Sequence, residues 1–174
     1  MPNKNPCIPD KFPKERLAAA RLYHGRFDWA IHALFGPNER VNSPGKQPVN
    51  KKGWPIWTAE QVTAEYLQEQ FGNGEGRNVG CVVRRPHVVI DLDSKPDDGA
   101  SVREWLDQQT ELQNVPRERT GGGAHLHFLC PDLPIFRNSK GKLYSKALAT
   151  QLNEKVGAEL FFNGQNITLA PSIH

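Results

Sequence analysis

The apolar run Val88-Val89-Ile90 ends in Asp91-Leu92-Asp93. Side chains alternate along a strand with a period of two, so Asp91 and Asp93 share one pleat face. Carboxylates held that close repel unless something positive lies between them, and a divalent cation is the usual answer. Further on, Thr120-Gly121-Gly122-Gly123 leads into Ala124-His125-Leu126-His127-Phe128, a glycine turn feeding a strand that carries histidine. A third acid, Glu159, stands in the strand-like run Ala158-Glu159-Leu160-Phe161-Phe162. Carboxylate pair, glycine-histidine, late carboxylate: this order predicts metal-dependent chemistry on phosphates.

Each motif also has a plainer reading. Two aspartates at a strand exit can be solvated acids, but the apolar run ahead of them is a rigid anchor of the kind a metal site needs. A calcium loop is excluded, because Lys95 and Pro96 stand where it needs an oxygen ligand and a glycine. Gly121, Gly122 and Gly123 can form a flexible turn, or take positive φ and present successive N–H groups to an anion. His125 and His127 share one pleat face, and His125 directly after the turn is placed for a triphosphate. Glu159 alternates with Ala158 and Leu160; alone it suits a surface, and with the aspartates it suits a shared metal ligand. Lys46 and Arg119 are solvated charges or phosphate contacts.

The elements that must position these groups follow from periodicity and punctuation. Residues 1–13 read as an extended arm and 14–24 as a helix. Residues 29–35 read as a strand ending at Gly36-Pro37, followed by a polar loop over 36–57. A helix capped by Thr58, with Gln61 completing a capping box, is expected to run to Phe71. Residues 78–83 and 88–93 read as a hairpin around Arg84-Arg85-Pro86-His87, because proline cannot serve a central ladder. A helix over 101–110 and a strand pair over 115–120 and 125–130 come next. A helix over 144–156 precedes a final hairpin, 158–162 and 166–170, turning at Asn163-Gly164. Helices and strands mix without a βαβ rhythm, which predicts an α+β sandwich over a doubly wound sheet.

The chain of 174 residues fits one domain, 14–174, behind the arm. Its abrupt end after a strand suggests a fragment of a longer protein. With 37% hydrophobic and 24% charged residues, and no run of roughly 20 apolar residues, it reads as cytoplasmic, without a membrane span or secretory signal. Cys7, Cys81 and Cys130 are scattered and odd in number, which excludes a zinc module of paired cysteines and a disulfide framework. A formal charge of +3 is compatible with nucleic acid without demanding it.

Taken together, the ordered motifs resemble the bifunctional primase–polymerase (Prim-Pol) domain of the archaeo-eukaryotic primase superfamily. Gly45-Lys46-Gln47-Pro48 with Gly53-Trp54 is similar to its lysine-proline loop, and Asn78-Val79-Gly80 with Ile90-Asp91-Leu92-Asp93 to its first acidic motif. Arg119 to Phe128 resembles the glycine-histidine motif, Gly157-Ala158-Glu159 the third acidic motif, and Ala170-Pro171-Ser172-Ile173-His174 the proline-serine strand after it. Three departures stand out: Glu159 where aspartate is usual, Gly121 where serine is common, and Ala170 in place of a first proline.

The resemblance, covering about residues 15–174, implies an α+β fold with an RRM-like mixed or antiparallel sheet flanked by helices. It implies template-directed nucleotidyl transfer by a DNA primase or polymerase using two Mg²⁺ or Mn²⁺ ions, held by Asp91, Asp93 and Glu159. His125, Thr120 and Gly121 to Gly123 would grip the triphosphate; Lys46 and Arg119 would add phosphate contacts, and Ser172 and His174 would line the nucleotide pocket. Its partners would be single-stranded DNA template and primer, nucleoside triphosphates, and a helicase domain in a longer polypeptide that replicates a plasmid, phage or similar element. A rival reading takes His125-Leu126-His127 as the His-hydrophobic-His motif of rolling-circle initiators and relaxases, with Tyr144 as the nicking tyrosine. That reading leaves Asp91 and Asp93 idle.

Overall fold

The computed structural model describes residues 13–50, 56–73, 76–134, 137, 139–140 and 148–172. The chain divides into two compact units, residues 1–83 with 166–174, and residues 84–165.

In the first unit, α1 (Arg16–Phe27) buries Ala19, Ala20 and Tyr23, positions that fall on one helical stripe. It ends where Asp28 turns left-handed (φ 56°) and its N–H closes on the His24 carbonyl. That turn brings Trp29 back onto Tyr23, ring centroids 5.3 Å apart and stacked. β1 (Ala30–Leu34) is buried throughout. The expected helix after Thr58 starts late. Gln61 Oε1 accepts from the Thr58 N–H as a capping box requires, but over a single 3₁₀ turn, Ala59–Gln61. Val62 is then extended, and Thr63 caps the true helix α2 (Ala64–Phe71) by accepting from the Tyr66 N–H.

β2 (Asn78–Asp93) is one continuous strand, where the sequence suggested a hairpin at residues 84–87. Its first part pairs antiparallel with β1 (Val82 opposite Ala30, Asn78 opposite Leu34), and its last part with β4 (Gly123–Leu129), from His87 opposite Leu129 to Asp93 opposite Gly123. Pro86 lies between these two registers, so its missing N–H costs neither ladder a bond there. Proline here marks a change of neighbour.

The second unit is built around β2, β4, β3 (Arg117–Arg119) and α3 (Ala100–Asp107). Val102 and Leu106 of α3 pack with Leu92, Ala124, Leu126 and Val156, and Ile90, Phe128 and Ala158 join them. These apolar residues fix which sheet face is covered. The alternating residues therefore occupy the other face.

Two further expectations fail. The helix over 144–156 is not formed in its described part: Leu148–Gln151 is β5, paired with residues 160 to 157. Asn153 Oδ1 accepts from the Lys155 and Val156 N–H groups and closes a turn that a helix would have needed open. Residues 144–147 lie outside the described residues. The Asn163-Gly164 hairpin is also absent, because β6 (Gly157–Leu169) runs through it. Gly164 adopts φ 84°, and Gln165 Oε1 accepts from the Phe162 and Asn163 N–H groups at 2.9 and 2.7 Å. A side chain thus supplies local partners at the distortion, a bulge-like solution in place of a reversal. The strands run in the order β3-β4-β2-β6-β5, with β1 also on β2, in a six-stranded sheet. The class is α+β as expected, with three α-helices among the described residues.

Candidate active site

Alternation along β2 sends Ile90 and Leu92 to the α3 side and Asp91 and Asp93 to the opposite face. Both acids are half-buried. On β4, Ala124, Leu126 and Phe128 pack toward α3, which leaves His125 and His127 on the acidic face. Asp91 and His125 are cross-strand partners, and His125 Nε2 lies 3.6 Å from Asp91 Oδ1. On β6, Ala158 joins the α3 core, so the exposed Glu159 projects from the same face as the aspartates. β6 neighbours β2, and a Cβ built on Gly157 would lie 3.9 Å from the Asp93 carbonyl oxygen, which sets the start of β6 beside the end of β2.

The glycine turn closes by a bond from the Thr120 N–H to the Gly123 carbonyl (3.0 Å), and the Ser94 N–H donates to Gly122 (2.9 Å). None of Gly121, Gly122 and Gly123 takes a positive φ. Their requirement is space. A side chain on Gly122 would collide with the Asp93 carboxylate, one on Gly123 with the Leu92 carbonyl, while Gly121 faces open room. Part of the flexibility expected from the sequence is thus replaced by close approach of turn to acid.

Glu118, which stands between Arg117 and Arg119, was not singled out from the sequence. β3 is short, and its middle residue is opposite His125. Glu118 is buried, and its Oε1 lies 3.3 Å from both His125 Nδ1 and His127 Nε2. His127 Nδ1 lies 3.0 Å from Nε2 of the buried His87, and the two rings stack at 5.3 Å. The signal was available in the turn: once Thr120 closes on Gly123, register places Glu118 against His125. Among the described residues, Glu118, His125 and His127 are the group whose ligand atoms all lie within 4.8 Å of one another.

Burial pushes the Glu118 carboxyl upward, but hydrogen bonds and charge from His125 and His127 outweigh it and hold the group at about 2. Burial lowers His127 despite its bond to Glu118, and lowers His87 well below the ordinary range, with the neighbouring His127 adding to the effect. The Glu118 carboxyl is therefore held in its ionised form at neutral pH.

The remaining expected residues are placed as follows. Arg119 is exposed, opposite Ala124. Lys46 and Ser172 belong to the first unit. Lys46 is exposed, on a loop whose Gly45 and Lys46 carbonyls accept from Asn78 Nδ2 and Asn166 Nδ2 at 3.0 and 3.1 Å. Ser172 Oγ accepts from the Val79 N–H and donates to the Val79 carbonyl, so it ties the end of the described chain to β2. His174, Gly53, Trp54 and Tyr144 lie outside the described residues. Cys81 is buried and Cys130 half-buried. No helix among the described residues is long and apolar enough to cross a membrane.

No curated protein matches the sequence. A family model, described as bifunctional DNA primase/polymerase, N-terminal, matches residues 20–174 and spans the acidic strand, the glycine turn and β6. The rolling-circle alternative gains no support from this match. The chain belongs to the bifunctional DNA primase/polymerase family.

Proposed function

We propose that this chain carries out template-directed nucleotidyl transfer on an archaeo-eukaryotic primase core, residues 14–174 forming the catalytic domain. The observation that carries the reading is the shared sheet face: Asp91 paired with His125, Asp93 against the glycine turn, and Glu159 projecting from the neighbouring strand. Three carboxylates on one face are hard oxygen donors suited to Mg²⁺ or Mn²⁺. The bare Gly122 keeps the turn flush against Asp93, leaving the carboxylate where a larger residue would displace it. These residues fit divalent ions, with Asp91, Asp93 and Glu159 as the holders. Such ions supply charge stabilisation for the attacking and leaving oxygens of an in-line displacement.

The chain's own groups do the rest. His125, fixed at Nδ1 by Glu118, turns Nε2 toward the acidic face, where a triphosphate oxygen can be met. The glycines of the turn offer backbone N–H groups beside it, the Thr120 N–H being taken by the Gly123 carbonyl; Arg119, opposite Ala124, projects from the α3 side and is not needed. The reading does not rest on Lys46 or Ser172. Its substrates are single-stranded DNA with a primer and nucleoside triphosphates. Replication of a plasmid, phage or similar element, with a helicase in a longer polypeptide, is the biological setting the motifs suggest.

Primed and unprimed single-stranded templates, offered with each nucleotide pool and with Mg²⁺ or Mn²⁺, test the activity. Combined Asp91→Ala and Asp93→Ala replacement should abolish synthesis while DNA binding is kept or improved, since negative charge facing a polyanion opposes binding. Synthesis that survives the double change would refute the assignment.

A further inference from the structure

We propose that Glu118, His125 and His127 form a buried site for one transition-metal ion of the zinc class, distinct from the oxygen-lined face of Asp91, Asp93 and Glu159. Glu118 Oε1 stands 3.3 Å from His125 Nδ1 and 3.3 Å from His127 Nε2, and all three ligand atoms fall within 4.8 Å of one another. Charge-assisted N–H···O contacts usually close to about 2.7–2.9 Å. Ligands bound at about 2.0–2.1 Å around a tetrahedral ion are separated by about 3.3 Å, the edge of the tetrahedron. One carboxylate oxygen and two imidazole nitrogens within 4.8 Å of one another form a donor set that selects zinc-like ions over Mg²⁺. Their side chains are 4% to 8% exposed, so the ion would be enclosed by protein.

The outward ring atoms fit the same assignment. A metal ligand histidine donates its other ring N–H to a neighbouring acceptor, which fixes its orientation. An ion on His127 Nε2 leaves the proton on Nδ1, facing His87 Nε2 at 3.0 Å. An ion on His125 Nδ1 leaves the proton on Nε2, facing the Asp91 carboxylate at 3.6 Å. With hydrogen bonds alone, a neutral His125 that donates Nδ1–H to Glu118 turns a lone pair toward that carboxylate. The ion removes this conflict. The strand pairing supplies the framework: Glu118 faces His125 across the β3–β4 ladder, and His127 follows on the same face.

The test uses the full chain, stripped with chelator and reloaded with Zn²⁺ or Co²⁺ in the presence of excess Mg²⁺. One ion per chain is expected. X-ray absorption should show nitrogen and oxygen at about 2.0–2.1 Å with the outer-shell scattering of two imidazoles. A chain carrying Asp91→Ala, Asp93→Ala and Glu159→Ala should still bind that ion, which separates this site from the one proposed for synthesis. Glu118→Gln should weaken binding by about 100-fold or more, beyond the span usual for outer-shell changes. Absence of a tightly held ion in the wild-type chain, a spectrum without imidazole scattering, or unchanged binding by Glu118→Gln would each overturn the site. So would ¹⁵N spectra of the reloaded wild type showing His125 protonated at both nitrogens, which would make the cluster an imidazolium–carboxylate pair. The wild-type measurements decide even where a variant fails to fold.

Discussion

Gly122 and Gly121 are adjacent, chemically identical, and under opposite constraints. Alanine at Gly122 forces the Asp93 carboxylate aside, whereas alanine at Gly121 meets nothing within 4 Å and needs no unusual φ. A reacting group misplaced by about 1 Å can cost about 10²-fold in rate. Gly122→Ala should therefore lower nucleotide incorporation by about that factor, while Gly121→Ala stays within a few-fold of wild type by the same primer-extension assay. Equal losses in both would mean that the turn serves through flexibility and not through its approach to Asp93. At this scale the sequence was informative about the acids and His125, since two-residue alternation is local. It placed Glu118 only through the register of the glycine turn, and was silent about His87, whose burial depends on residues brought in from another strand.

Among the elements, the helix starts show how a local signal can be right in kind and displaced in position. Thr58 and Gln61 make the expected capping contact, yet the α-helix begins only after Thr63, whose side chain accepts from the Tyr66 N–H at 3.1 Å. Thr63→Ala should cost about 1 kcal/mol in chemical denaturation. A null effect would show the α2 start to be held by packing of Leu67 and Phe71 alone. The two long strands were each read as hairpins, for related reasons. Arg84 to His87 and Asn163-Gly164 carry genuine breaker residues, but a breaker reports only that regular pairing is interrupted. Whether the chain then reverses depends on neighbouring strands. β1 and β4 take successive parts of β2, and β6 absorbs its interruption through Gln165.

Stability of the whole chain should be acid-sensitive through its buried histidines. His32 is lowered from 6.5 to about 4 by burial, which its bond to Asn166 only partly offsets. As pH falls, the unfolded chain takes up this proton first, so the contribution is intact above about 6.5 and is lost progressively down to about 4. A shift of this size corresponds to about 3 kcal/mol. His87 and His127 are lowered as well and add loss in the same direction. Denaturation at pH 7.5 and 4.5 should show a large drop for the wild type and a smaller one for His32→Gln, whose amide can still donate to Asn166 without titrating. An identical drop in both proteins would remove His32 as a contributor.

The chain's order of residues alone determined that two aspartates share a strand face, that a glycine turn precedes a histidine strand, and that helices and strands mix in an α+β class. These depend on two- and four-residue periodicity and on turn chemistry, all of which are local. Only the tertiary structure decided that β2 and β6 run unbroken, that Leu148–Gln151 is a strand, and that Glu118, His125, His127 and His87 form one buried constellation. Those outcomes depend on which distant segments pair and on which side of the sheet water is excluded, and no single stretch of sequence carries that information.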